Sequence, residues 1–289
     1  RLSYEFIKEK GYGENIRLKN FSFVQDEVFA NIKRNLNLKN EEITMDTSAK
    51  DDFVILTMKN SIDTLLQSVY TSNNDKIIPG KVLIEKLKEK YPDLPVKFVE
   101  QGDYGTFEYT DLEVRDKYLK QQHMEEGISA YDFVKEIAFK NYQILYDLIS
   151  HDDIKYYAQI ELLKYENPMI SITDWEYTPI RDKKKWIKNN VKSAEDIDDY
   201  SAEAVFKMLR KSLDIPQEIN DYDMRNMMVL RERYNKVTYM SYHPVDICYG
   251  ISEKTVAMIS ERSHELRGIN IEIEPLRIYP NKESASHII

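Results

Sequence analysis

The feature that most restricts the fold of this chain is a set of helix-start residues, each followed by apolar residues at helical spacing, between residues 128 and 236. Ser129 and Asp132 have the pattern of a capping box, in which a serine side chain accepts a hydrogen bond from a first-turn amide. Ser201 stands in the same position before a helical run over 201–213. The apolar positions after Ser129 are Phe133, Val134, Ile137, Tyr142, Leu145 and Leu148. We therefore expect residues 128–236 to form a helical part.

A further helix is predicted between these two, where Asp152 or Asp153 can cap the first turn. A short helix in a folded protein is stabilised mainly by burying an apolar face. The residues that we expect on that buried face are Ile154, Tyr157, Ile160 and Leu163.

Residues 1–127 are mixed in character and predict an α/β part. Apolar residues between 23 and 36 recur at helical spacing, and the run 53–58 fits either a strand or a buried helix. Segments 96–100 and 106–110 have an extended pattern with glycines between them, which predicts a hairpin.

Residues 237–289 predict a β-α-β unit. The first strand would run through 242–249, and Ser252 would cap a helix over 252–266 that ends at Gly268. The residues that alternate with polar neighbours, and so predict the second strand, are Ile269, Ile271 and Ile273. The three parts together predict an α+β fold, with a helix-rich N-terminal and central region before this C-terminal unit.

Composition excludes several functions. The 289 residues carry a net charge of −9, which argues against a nucleic-acid partner because phosphate binding needs a basic face. A single cysteine, Cys248, excludes an internal disulfide and any multi-cysteine metal site. Only 8 residues are glycine, which phosphate-binding and catalytic loops use for close backbone approach, so a nucleotide-binding enzyme is disfavoured.

The histidines never occur at metal-binding spacing, so we predict no metal or cofactor site from them: they are His123, His151, His243, His264 and His287. His151 with Asp152 and Asp153 fits a hydrolase or metal cluster, but a solvated helix start is the favoured interpretation. The acidic run 195–199 lacks the glycine and final glutamate of a calcium loop, so it is interpreted as surface.

Two further features, the lysines before Trp186 and the many tyrosines, each have two interpretations. Lys183, Lys184 and Lys185 before Trp186 fit a segment near a membrane, although a solvated helix face is favoured. The 21 tyrosines fit a sugar-stacking platform, although burial in the core is favoured for most of them.

No apolar run is long enough to span a bilayer. The chain begins at Arg1 and ends on apolar residues, so we expect a piece of a longer protein.

The segment 242–289 contains an ordered series of motifs: Tyr-x-Pro-Val-x-Ile, an S-E-K-T-V helix, a glycine with alternating glutamates, Glu-Pro-x-Arg-x-Tyr-Pro and a His-Ile ending. The residues that carry this series include Tyr242, Pro244, Gly268, Pro275, Arg277, Tyr279, Pro280 and His287. The series resembles the end of the non-catalytic dimerisation, or pedestal, domain of class B penicillin-binding proteins. Three segments, 186–190, 202–216 and 225–236, are similar to the helical stretch of Gram-positive members, whereas the Arg-Gly-x-Ile-x-Asp-Arg-Asn-Gly segment usual near the start of the domain is not found.

The resemblance implies a parent protein anchored in the cell membrane, with this module on the extracytoplasmic face. A C-terminal D,D-transpeptidase domain would cross-link peptidoglycan through a serine that penicillin acylates. That chemistry needs S-x-x-K, S-x-N and K-T-G motifs, and we expect none of them in this chain, hence no catalytic residue. The implied partners are the transpeptidase domain of the same protein and the division or elongation proteins of wall synthesis, with a homodimer left open.

The motif around Arg277 is expected to be structural. Arg277 on a strand can hold a carboxylate with two hydrogen bonds, Tyr279 supplies an amphipathic anchor and Pro280 ends the strand. These residues would form a hinge to the transpeptidase domain rather than a reaction centre. The alternative is a free-standing wall-binding or peptide-binding module that shares only the β-α-β ending.

Overall fold

A computed structural model of the chain describes residues 15–72, 75–191, 200–236, 244 and 250–273. The chain divides into two compact units, one of residues 14–216 and one of residues 1–13 with 217–289. The larger unit contains the hydrophobic core and all the strands of the described residues. Helices mixed with small antiparallel strand pairs confirm the α+β prediction.

The first half of the larger unit contains β1 (Ile16–Arg17), β2 (Ser22–Phe23), α1 (Val24–Lys39), α2 (Ala49–Asn60), α3 (Ile62–Gln67), β3 (Tyr70–Ser72), β4 (Asp75–Ile77), α4 (Pro79–Lys90), β5 (Val96–Gln101) and β6 (Tyr104–Tyr109). The second half contains α5 (Leu112–Gln122), α6 (Ala130–Lys140), α7 (Tyr142–Ile149), α8 (Lys155–Leu163), β7 (Ile170–Ser171), β8 (Glu176–Tyr177), α9 (Thr178–Asn190) and α10 (Ala202–Ser212). Described elements of the smaller unit are α11 (Asp221–Lys236) and α12 (Glu253–Glu261).

Each described sheet is a pair of antiparallel strands: β1 with β2, β3 with β4, β5 with β6, and β7 with β8. The β5–β6 hairpin is the predicted one, and Gly102 in its two-residue turn has a φ of 72°, a conformation that glycine adopts without strain. The run 53–58 lies within α2, so the buried-helix interpretation of it is correct.

The core lies where α2, α3, α4, α6, α7 and α8 pack against one another and against the β5–β6 hairpin. Its large, fully buried side chains include Phe53, Leu65, Leu83, Phe133 and Leu145. Gly80 in the first turn of α4 permits a close contact, because a Cβ atom there would lie 2.2 Å from the carbonyl oxygen of Leu66. A methyl group at this position would therefore force α3 and α4 apart.

Three predicted helix caps are confirmed by hydrogen bonds. The Oγ atoms of Ser129, Ser201 and Ser252 accept from the backbone N–H three residues later, at N···O distances of 3.0, 3.2 and 3.2 Å. The helix predicted over 133–148 is two helices, however, because Asn141 interrupts it. The Asn141 side chain donates to the carbonyl oxygen of Ile137 at 2.7 Å, and the backbone turns before α7 begins.

The predicted cap and buried face of α8 are wrong in part. The helix begins at Lys155 after Ile154, and no side chain caps it; the Asp152 carboxylate instead accepts from the Lys155 ammonium at 2.6 Å. Ala158 and Leu162 lie in the core with Ile154, whereas Ile160 and Leu163 are exposed. The reason is that α8 has apolar residues around most of its circumference, so spacing alone does not select one face.

The predicted β-α-β unit is confirmed only in its helix. That helix, α12, ends at Glu261 rather than 266, and it has the predicted cap. Ile269, Ile271 and Ile273 are exposed and form no strand, since within the described residues this segment has no hydrogen-bonded neighbour to pair with. The first strand, over 242–249, lies outside the described residues except for Pro244.

Candidate functional site

The family-motif residues are only partly described. Pro244 is exposed, and Gly268 follows α12 with a φ of 84°, the left-handed conformation that favours glycine after a helix. Six of the eight lie outside the described residues: Tyr242, Pro275, Arg277, Tyr279, Pro280 and His287. Whether these residues form a site is therefore not tested by the described residues, and the hinge around Arg277 stays a prediction.

Among the described residues of the larger unit, a fully buried ion pair forms a polar centre that the sequence did not reveal. Lys33 on α1 and Asp52 on α2 are 1% and 0% exposed, and the Lys33 Nζ atom lies 2.5 Å from Oδ2 of Asp52. The other two ammonium protons go to the carbonyl oxygen and Oγ1 of Thr47, at 2.6 and 2.9 Å. All three donors of the lysine are thus satisfied.

Tyr177 completes this centre from β8. Its hydroxyl donates to Oδ2 of Asp52, while Oγ1 of Thr47 lies within hydrogen-bond distance of Oδ1 at 2.6 Å. Burial, followed by the hydrogen bond to the Asp52 carboxylate and its charge, raises the pKa of Tyr177 above its usual range. This centre joins α1, α2 and β8. Because its charges are paired and its hydroxyls are hydrogen-bonded, we interpret it as a stabilising contact and not as a reaction site.

A second cluster places two ammonium groups against aromatic rings at the edge of the core. The Nζ atom of Lys50 lies 4.8 Å from the ring centre of Tyr146 and 5.6 Å from that of Trp175, and the Nζ atom of Lys155 lies 5.9 Å from the latter. Trp175 itself packs on Phe53, with ring centres 5.4 Å apart. These contacts are favourable cation–π geometry, and they hold the β7–β8 turn on α2.

Carboxylates near this region are engaged with hydroxyl and ammonium groups. Asp51 accepts from the Tyr146 hydroxyl at 3.0 Å; burial, then that bond and the carboxylate charge, raises the pKa of Tyr146 to about 12. Asp63 accepts from Tyr131 and Lys135. Burial alone would raise the pKa of Asp63, but these two hydrogen bonds outweigh it and hold the pKa below its usual range.

The other polar clusters of the sequence have mainly structural surroundings. The His151 Nδ1 atom lies 3.6 Å from a carboxylate oxygen of Asp153, and both side chains are exposed, as a solvated helix start predicts. Lys183 pairs with Asp26 at 2.6 Å and Lys184 with Glu176 at 2.7 Å, so two of the three lysines of the basic patch face carboxylates. Run 195–199 lies outside the described residues.

The tyrosines divide between core and surface. Tyr177 is buried, and several others pack half-buried on the core: Tyr70, Tyr91, Tyr109, Tyr118, Tyr131, Tyr146 and Tyr157. Burial is thus confirmed for these. The prediction fails for the tyrosines that the structure leaves largely exposed: Tyr104, Tyr142, Tyr156, Tyr165, Tyr222 and Tyr234.

Within the described ranges, no group of three or more histidine, cysteine, aspartate or glutamate side chains is arranged to hold a metal ion. In the same residues no helix combines the length and apolar character that a bilayer crossing requires. The expectation that the chain contains no S-x-N triplet is wrong, since Ser72, Asn73 and Asn74 have that spacing. Neither S-x-x-K nor K-T-G occurs in the sequence to complete a transpeptidase set.

A family model described as the penicillin-binding protein dimerisation domain matches residues 26–289. The chain belongs to this family. Comparison with curated proteins found no match, and comparison with solved structures found none either.

The dimerisation-domain match extends well beyond the C-terminal motifs that first indicated the family. It begins within α1, so it includes the Lys33–Asp52 pair and the whole helical core. The dimerisation domain is the non-catalytic part of a penicillin-binding protein, which agrees with the structural character of the buried ion pair. Two features of this module were missed by sequence reasoning: the buried pair itself, and the exposed apolar face of α8. The sequence signal for the exposed face of α8 was that apolar residues occur on opposite sides of its helical wheel.

Proposed function

We propose that this chain is the pedestal of a penicillin-binding protein whose catalytic domain is a peptidoglycan D,D-transpeptidase. The single observation that supports it is the match of the dimerisation-domain model over residues 26–289. In this proposal the module works on the extracytoplasmic face of the membrane and holds the transpeptidase domain at a distance from it. It also offers a surface to the division or elongation proteins of wall synthesis.

The physical properties of the larger unit suit a spacer. Its helices share one core, and the Lys33–Asp52 pair ties α1 to α2 with contacts that a rigid support needs. A buried pair whose donors are all satisfied strongly penalises any movement that separates its partners. Such a unit transmits position without changing shape, which is the task of a pedestal.

The test compares this 289-residue chain with the full-length parent. A fluorescent penicillin should label the parent at one serine and leave this chain unlabelled, because acylation needs a serine with a lysine one helical turn away. Substitution of that serine in the parent is the matched control and should abolish the label. Labelling of this chain alone, or a parent without any penicillin-reactive serine, would contradict the proposal.

The free-standing wall-binding module is the competing interpretation. It predicts that this chain co-sediments with purified peptidoglycan sacculi in the absence of any further domain. A pedestal should remain in the supernatant under the same conditions.

A further inference from the structure

Helix α8 (Lys155–Leu163) is apolar on two opposite faces. Ala158 and Leu162 are buried in the core, and the opposite face carries an exposed stripe of Tyr156, Ile160 and Leu163. These three side chains are 59%, 38% and 47% exposed, and their i, i+4, i+7 spacing aligns them along one line of the helix. A surface helix normally has charged and polar residues at these positions, and one that is apolar all round is normally covered.

Charges of opposite sign mark the two ends of this stripe. Asp153 precedes α8 and its side chain is 73% exposed, while Lys164 follows the helix, donates to the buried Glu161 carboxylate at 2.6 Å and is still 57% exposed. The two residues are 11 positions apart, or about 16 Å at ~1.5 Å per helical residue. Lys39 adds a second ammonium group at the lysine end, where it pairs with Glu166 at 2.8 Å. The acidic end and the basic end therefore suit the opposite ends of an antiparallel copy.

Neighbouring aromatic contacts fix the direction of the stripe. Tyr70 of β3 stacks on Tyr157 with ring centres 4.2 Å apart, and its hydroxyl donates to Glu161 at 3.2 Å. Tyr156 in turn meets Tyr157 edge-on, with ring centres 5.7 Å apart. Because the helix is held on its flank, the stripe is presented without a conformational change, which lowers the ordering cost of association.

We propose that the α8 stripe is the surface on which two copies of this chain associate, with the two helices antiparallel about a two-fold axis. The proposal rests on the proposed function in one respect, since it assigns the partner of a dimerisation-domain module. A two-fold contact uses the same patch on both copies. Here it sets Tyr156 of one copy against Leu163 of its partner and brings Ile160 close to the axis. The same arrangement brings Asp153 near Lys164 of the partner.

A second copy fits this surface better than a membrane does. Asp152 and Asp153 lie beside one end of the stripe, so an anionic lipid surface would repel that end, whereas an antiparallel copy places Lys164 there. An interfacial membrane helix carries lysine and arginine along its polar face, whereas α8 has one lysine at its first position. Because each copy contributes a single nine-residue helix, we expect the contact to bury less than the ~1,200–2,000 Å² of stable interfaces and the dimer to be weak, with a Kd in the micromolar range or above.

Sedimentation equilibrium of the 289-residue chain at micromolar to millimolar concentrations tests the proposal. The unaltered chain should show a reversible monomer–dimer equilibrium. Ile160→Glu should raise the dissociation constant at least ten-fold, because it places two carboxylates near the axis. The matched control, Leu112→Glu, alters an exposed leucine at the start of α5 and should leave the constant unchanged. A chain that is monomeric throughout, or a dimer that Ile160→Glu does not weaken, overturns the proposal.

Charge reversal identifies the partner. Asp153→Lys and Lys164→Glu should each weaken the dimer several-fold, and the double variant should recover most of the loss because the pair is restored across the axis. Thermal unfolding checks each variant, since Lys164→Glu also removes the partner of the buried Glu161 carboxylate. Should that variant not fold, Asp153→Lys mixed with the unaltered chain supplies the comparison. Failure of recovery in a folded double variant overturns the antiparallel pairing.

Vesicles of phosphatidylglycerol are the last arm of the test. We expect the stripe not to bind these vesicles. Vesicle binding by the unaltered chain that is lost in Ile160→Glu would assign the stripe to a membrane instead. Penicillin labelling of the parent is independent of all these readouts. If the chain does not dimerise but the parent is labelled by penicillin, the dimer surface is rejected and the proposed pedestal function stands. If the parent is not labelled, the proposed pedestal function is rejected.

Discussion

Removal of the Asp52 carboxylate should destabilise this protein far more than removal of any surface charge. In Asp52→Ala the Lys33 ammonium remains 1% exposed and keeps only the two oxygens of Thr47 as acceptors. Tyr177 also loses the acceptor of its hydroxyl. Breaking a buried pair in this way costs about 3–5 kcal/mol, which is a large part of the ~5–15 kcal/mol that stabilises a typical domain.

The opposite truncation should cost less. In Lys33→Met the Asp52 carboxylate keeps the Tyr177 hydroxyl and Oγ1 of Thr47 as donors, so the remaining charge is partly compensated. We expect about 2–3 kcal/mol for this variant. The double variant Lys33→Met with Asp52→Ala leaves no unpaired charge. It should therefore cost less than the sum of its single variants, with a coupling energy of about 1–3 kcal/mol.

Urea unfolding followed by circular dichroism measures these free energies, and a Tm shift of about 2–4 °C per kcal/mol provides a check. The matched control is Lys76→Met, which breaks the exposed pair of Lys76 and Glu100 and should change stability far less than Asp52→Ala does. Raising the salt concentration to ~1 M should remove the effect at the exposed pair and leave that at Asp52 unchanged. The reasoning is refuted if Asp52→Ala costs less than ~1 kcal/mol, or if the two single variants are additive.

Two further predictions concern packing and pH. Gly80→Ala should lower the free energy of unfolding, measured by urea unfolding, by about 1–3 kcal/mol, because the added Cβ would lie 2.2 Å from the Leu66 carbonyl oxygen. The control Gly127→Ala adds its Cβ in open space and should change stability by under ~0.5 kcal/mol. Equal effects would contradict the close contact. Burial and neighbouring carboxylates raise the pKa of Tyr70, Tyr131 and Tyr177 above 10. The folded state thus keeps protons that the unfolded chain releases, so the contribution of these tyrosines to the free energy of unfolding should be constant below pH ~10 and fall above it. A flat profile from pH 9 to 11 would contradict this.

Much of the local structure follows from local sequence. Serine caps at positions 129, 201 and 252 occur where they were predicted, because a cap is made with an amide only three residues away. The β5–β6 hairpin is equally local, since its turn needs only Gly102 between two extended segments. The Asn141 break between α6 and α7 was not predicted, because apolar spacing continues across it and a side-chain bond to Ile137 decides the outcome.

Contacts between distant parts of the sequence could not be predicted in this way. Lys33 and Asp52 are 19 positions apart, and Tyr177 lies 125 positions after Asp52. No periodicity in a single sequence connects such residues, and a lysine on a predicted helix is ordinarily a surface residue. The second strand predicted over Ile269–Ile273 failed for a related reason, since alternation describes a face and does not supply a pairing partner.

The sequence by itself determined where the helices capped by Ser129, Ser201 and Ser252 begin, the position of the β5–β6 hairpin, and, through the motifs of residues 242–289, the family to which the chain belongs. These properties depend on residues near one another along the chain. Only the tertiary structure decided which face of α8 is buried and that Lys33 lies in the core rather than in solvent. Both depend on which distant side chains fill the same volume. Packing left Tyr156, Ile160 and Leu163 on the outside, and for that reason the proposed dimer surface came from the fold and not from the pattern.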